Sequence, residues 1–101
     1  MGSKSIKAHT LPPYKKRFIA EYYQLEDRII KLQNVVDAIK NKTLTFEPSS
    51  PSDILEAQLA AMKDYARMLI IRSFIEDVPL NISIGLIYKE AIEMHEARMK
   101  K

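Results

Sequence analysis

Two tyrosines and a handful of cations carry the chemistry this sequence offers. The run Tyr14-Lys15-Lys16-Arg17 places a flat phenol beside three positive charges. A tyrosine ring stacks on a nucleobase, and Arg or Lys meets phosphate through charge-assisted hydrogen bonds. A helix starting here adds partial positive charge and free N–H groups. The same residues also suit a solvated basic turn. Arg28 and Lys31 form a second group, three residues apart and so on one helix face. They suit an anion, or ordinary surface charge with Arg28 paired to Gln24 or Glu21. Tyr65, Met68 and Arg72 form a third. Tyr and Arg are typical interface anchors and Met is adaptable; the alternative is core packing with Arg72 at the rim.

No catalytic or metal constellation assembles from what remains. The chain has no Cys, which excludes disulfide frameworks, zinc thiolates and cysteine nucleophiles. His95-Glu96 opens a zincin-like pattern, but the position four after His95 is Met99. Glu26 and Asp27, like Glu76 and Asp77, are neighbours in sequence and point in different directions on a helix. Two glycines leave no material for a phosphate loop or a dinucleotide fingerprint. The expectation is a protein that is not an enzyme and holds neither metal nor cofactor.

Charge and hydropathy narrow the partners. Sixteen basic against 13 acidic residues give a net charge of +3, which permits an anionic ligand but is sparse for binding DNA or RNA polymers. No apolar run approaches the ~18 residues that span a bilayer, and no apolar signal core opens the chain. Met1-Gly2 fails as a myristoylation motif, because Ile6 stands where Ser or Thr is required. Without a secretory signal, the glycosylation patterns at Asn41 and Asn81 are incidental. A small domain without disulfides fits a reducing cytoplasm.

The elements that must position these residues are helices. From Tyr14 onward, Phe18, Tyr22, Leu25, Ile29, Leu32, Val36 and Ile39 are spaced alternately four and three, an unbroken heptad seam. With Pro13 suited to the first turn, this predicts a helix over about 13–40. Residues 41–51 form a connection rich in Asn, Thr, Pro and Ser, with Leu44 and Phe46 free to tuck back. Ser50 as N-cap, Pro51 as first helical residue and Asp53 in the first turn predict a second helix over about 51–77, with its seam at Leu55, Leu59, Met62, Ala66 and Leu69. Around Leu69-Ile70-Ile71 that helix is apolar on several sides, so the first helix alone cannot cover it. A third helix over about 83–99, capped by Ser83 and facing inward at Ile84, Tyr88, Ala91 and Met94 or His95, or a second subunit, supplies the cover. The fold class is all-α: two long antiparallel amphipathic helices and a shorter C-terminal one, in a single helical domain over 14–101. Residues 1–13 precede it as a flexible arm. At 101 residues the core is modest, which favours a homo-oligomer.

The first helix reads Tyr14-x-x-Arg17, Glu21, Leu25, Arg28-Ile29, Lys31-Leu32; the second reads Leu55, Gln58, Met62, Tyr65, Leu69, Arg72. With the Pro/Ser-rich loop between them, this pattern over residues 14 to about 75 resembles the small phage proteins that sequester cyclic oligonucleotide signals, the anti-CBASS sponges. The resemblance implies a compact homo-oligomer, typically a hexamer, in the host bacterial cytoplasm. It also implies non-catalytic capture of cyclic dinucleotides between protomers and, in some members, of cyclic trinucleotides at separate sites. It makes Tyr14 the base-stacking residue and Arg28 or Lys31 the phosphate partner, with Arg17, Tyr65 and Arg72 as further ligand contacts. Residues 80–101 and the N-terminal arm have no counterpart in that pattern. Two other readings stand beside it: a helical protein-interaction module docking through the apolar stretch from Ile70 to Tyr88, and a nucleic-acid-binding accessory.

Overall fold

Among residues 11–100, which the computed structural model describes, three helices account for all the regular structure and there is no strand. We label them α1 (Pro13–Lys40), α2 (Ser52–Ile75) and α3 (Gly85–Met99). Most of the arm expected over 1–13 lies outside the described residues.

α1 starts at the second of two prolines, whose missing N–H would be unpaired there in any case. It buries Phe18, Tyr22, Leu25, Ile29 and Val36 along the seam, with Leu32 and Ile39 half-buried at its margins. Its end is closed by local geometry. Lys42 takes a left-handed φ of 59°, the Thr43 N–H reaches the Ala38 carbonyl at 2.8 Å, and the Lys42 N–H reaches Ile39 at 3.1 Å. These two bonds form a Schellman motif, which satisfies carbonyls that the helix leaves orphaned. α2 ends the same way. Asp77 has φ 57° and the Val78 N–H bonds the Ser73 carbonyl at 2.9 Å, while the Val78 side chain buries itself.

α1 and α2 run antiparallel. Lys40 at the end of α1 pairs with Glu56 at the start of α2, and Phe18 near the start of α1 lies under the Arg72 guanidinium, 4.8 Å from ring centroid to Cζ. Leu59, Ala66, Leu69, Ile70 and Ile71 fill the α2 side of the core. The apolar breadth at 69–71 is resolved by α3, which packs on α2 through Ile87 and Ala91.

Three expectations need correction. α2 begins one residue later than its cap signal suggests: Pro51 is the N-cap and no side chain caps the helix, so Ser50 has no such role. Ser83 is no cap either, because α3 starts at Gly85 and the Ser83 N–H is committed elsewhere. On α3, Ala91 is buried as expected and Ile84 packs on the core, but Ile87 takes the inward place expected of Tyr88, and Tyr88 and Met94 stay exposed. In the first connection, Leu44 is half-buried and Phe46 is exposed.

Residues 76–84 form a strap that runs back across α1. Three polar contacts hold it: Lys15 Nζ donates to the Asp77 carbonyl at 3.0 Å, the Asn81 N–H donates to the Tyr23 hydroxyl at 2.7 Å, and the Ser83 N–H donates to Glu26 Oε2 at 3.0 Å. Val78, Leu80, Ile82 and Ile84 add apolar packing. The strap thus fastens to α1 at Lys15, Tyr23 and Glu26.

Candidate ligand groove between the first two helices

At ~100° per residue, Tyr14, Arg17, Glu21, Gln24, Arg28, Lys31 and Val35 fall on one flank of α1, beside the buried seam. The lower part of that flank faces α2 across a groove of about 420 Å³. Leu25, Leu32 and Val35 form its α1 wall together with Arg28 and Lys31, and Gln58 and Met62 stand opposite. The groove joins an apolar floor to two cations and one amide, a combination that suits a flat ring carrying an anionic group.

The cations differ in their commitments. Lys31 pairs with Asp27 at 2.9 Å, but both side chains are well exposed, and such an i,i+4 surface pair is worth only ~0.3–0.5 kcal/mol. An incoming phosphate displaces it at little cost. Arg28 makes no ion pair among the described residues, so the expected bond to Glu21 or Gln24 does not form. Its fork of donors is therefore free to take an anion bidentately.

The other expected site residues sit elsewhere. Tyr14 and Arg17 lie exposed on the first turns of α1, Tyr14 at 49%. The offset of 14 positions from Tyr14 to Arg28 corresponds to about 21 Å of helix. One protomer therefore does not bring the tyrosine ring and the Arg28–Lys31 pair onto the same phosphate and base. Tyr65 and Met68 are exposed, which removes the core-packing alternative for them. Tyr65 follows Met62 by three residues on α2 but is not among the residues that line the groove. Arg72 is engaged: Nε bonds Glu76 Oε2 at 2.7 Å while the guanidinium stacks on Phe18. Its hydrogen bond to Glu76 raises the Arg72 pKa, and the same bond holds the Glu76 carboxyl below its ordinary value. Arg72 belongs to the clasp between α1 and α2 more than to a ligand site.

Glu26, set aside in the sequence as a mere neighbour of Asp27, has a structural role. It is 8% exposed, and its Oε2 accepts both the Tyr22 hydroxyl, at 2.9 Å, and the Ser83 N–H. Burial first, and then the hydrogen bond to this carboxylate, push the Tyr22 phenol far above its ordinary value. Tyr22 and Glu26 are four apart, so their pairing was available from spacing; the Ser83 partner, 57 residues on, was not.

Comparison with known proteins adds one finding. A family model described as Sequestin matches residues 12–75, which span α1, the connection and α2 and contain the whole groove. No curated protein and no solved structure matches the chain.

Proposed function

The chain belongs to the Sequestin family, and from that premise we propose that it captures cyclic di- and trinucleotide second messengers without turning them over. On this reading it acts in the host bacterial cytoplasm and starves CBASS antiphage immunity of its signal. The observation that carries the reading is the meeting of Arg28 and Lys31 with Gln58 and Met62 over an apolar floor, inside the matched segment. A cyclic dinucleotide brings two phosphates and two flat bases. Arg28 and Lys31 take a phosphate, the Gln58 amide reaches a base edge, and Met62 with the leucine and valine floor supports the ring. A stacking aromatic contributes ~1–3 kcal/mol per base. Tyr14 supplies it from a neighbouring protomer, since its own groove is too far along the helix; capture is then a property of a homo-oligomer, with a hexamer as the expected form.

Titration calorimetry against cyclic dinucleotides tests the site. Hydrogen bonds to a charged partner contribute ~1.5–3 kcal/mol, so Arg28→Ala should weaken binding by about tenfold or more while helix content stays unchanged. Wild-type affinity in that variant would remove Arg28 from the site.

A specific observation also favours the interaction-module reading. Phe74, Ile75 and Tyr88 are exposed, and Phe74 on α2 meets Tyr88 on α3 edge-on at 6.2 Å. Retention of one specific host protein with no nucleotide bound would support it over capture.

A further inference from the structure

α2 carries three stripes, and the chain itself covers two of them. Leu59, Ala66 and Leu69 are buried on the seam toward α1. Arg67, Ile70 and Phe74 face α3, where Arg67 bonds Glu90 and Phe74 meets Tyr88. The third stripe is Ile54, Gln58, Ala61, Tyr65, Met68, Arg72 and Ile75, spaced alternately four and three over the whole helix. It lies roughly opposite the α3 stripe at ~100° per residue, and all seven residues are exposed. Such a spacing is the seam against which a second helix packs. This one is uneven in two ways. Between Ala57 and Ala61 it is small apart from Gln58, because Ala57, Ala60 and Ala61 are all exposed; from Tyr65 to Ile75 it is large. Its ends also differ in charge. Residues 37–56, at the end of α1 and the start of α2, hold four carboxylates against two lysines. Residues 13–21 and 72–77, at the opposite end of the pair, hold four cations against three carboxylates.

We propose that α2 of one protomer packs antiparallel on α2 of a second copy through this seam, about a two-fold axis near Tyr65. The proposal rests on the homo-oligomer of the proposed function and names the surface that builds it. A two-fold interface presents the same patch on both copies, so the patch must complement itself. Laid antiparallel, the small stretch of each helix meets the large stretch of the other, and the acidic end of each copy meets the basic end of its partner. A parallel pair would set large on large and acid on acid. The antiparallel pair also serves the groove. Gln58, which lines it, and Arg72 are 14 positions apart, the same offset that separates Arg28 from Tyr14. Arg72 stacks on Phe18, one turn along from Tyr14. Setting Gln58 beside the partner's Arg72 therefore carries the first turn of the partner's α1 toward Gln58, Arg28 and Lys31.

The chain has no Cys, so introduced cysteines report alone. Ile54→Cys and Ile75→Cys chains, co-expressed and treated with a short bis-maleimide, should give a cross-linked dimer on a denaturing gel. Neither variant alone should do so, because an antiparallel pair holds like positions at opposite ends. Met68→Lys buries a charge in the seam and should lower the native mass at least twofold while circular dichroism stays native. Met94→Lys, at a comparably exposed position on α3, should leave the mass unchanged. Cross-linking within either single variant, none in the mixture, or wild-type mass for Met68→Lys would each overturn the proposal. The mixed cross-link in a protein that retains no cyclic nucleotide upholds the interface and rejects capture; capture without that cross-link rejects the interface alone.

Discussion

Glu26 places both its hydrogen bonds on one oxygen, and the two partners fail differently when it is changed. Glu26→Leu leaves the Tyr22 hydroxyl and the Ser83 N–H without an acceptor in a largely buried place, a loss of ~1–3 kcal/mol for each unsatisfied group. Glu26→Gln keeps a carbonyl oxygen in reach of both and should cost about 1 kcal/mol. Urea unfolding of the two variants separates them; equal losses would mean that volume, not hydrogen bonding, sets the effect. Tyr22 carries the matching pH prediction. Its folded pKa is raised, chiefly by burial, so the neutral phenol is favoured in the fold. That stability is fully present below the unfolded phenol value of ~10 and is lost as pH rises above it. Tyr22→Phe should remove this part of the alkaline decline in a stability–pH series. At the residue scale the sequence disclosed types and spacing but not commitments. Arg28 and Arg72 look alike on a helical wheel; one is unpaired and the other is clasped to Glu76 and Phe18, because Phe18 reaches it only once the helices have closed antiparallel.

The helices themselves were legible wherever a single periodic pattern met a strong boundary signal. α1 has both, a heptad seam and a proline start, and its expected limits coincide with Pro13–Lys40. α2 was displaced by one residue because Ser50-Pro51-Ser52 offers competing caps, and the proline, pre-set in φ, became the N-cap. α3 was misread in register because Leu86-Ile87-Tyr88 are apolar in succession and periodicity cannot choose among them; packing on α2 chose Ile87. Both helix ends close on non-glycine residues in the left-handed region, where an ordinary side chain is strained. Asp tolerates that region better than Lys. Lys42→Gly should therefore stabilise the protein by ~0.5–1 kcal/mol, and Asp77→Gly by less. Thermal melts of the two variants test the order; a destabilised Lys42→Gly would show that the Lys42 side chain contributes packing or charge that outweighs its backbone strain.

The whole molecule is a thin layer. Its principal extents are 54 × 36 × 19 Å, and its radius of gyration of 16.9 Å exceeds the ~13 Å of a compact 100-residue domain. A layer about two helices thick leaves one side of each element open, which is where Ile54, Tyr65, Met68, Ile75 and Leu86 are exposed. No helix among the described residues is long and apolar enough to cross a membrane. The proposed homo-oligomer would cover them and would also bring a neighbour's Tyr14 toward Arg28 and Lys31. The thinness could not be foreseen from seam spacing, because it depends on where the strap sends α3; the ~21 Å between Tyr14 and Arg28 follows from their offset along one helix.

Native mass spectrometry of the full chain, mixed with a panel of cyclic di- and trinucleotides, tests the central claim most directly. The expected result is an assembly, with a hexamer at six times the 11.7 kDa chain as the expected form, that retains cyclic nucleotide and releases it chemically unchanged on denaturation. A protein that retains none of the panel, or that releases linear products, would contradict it.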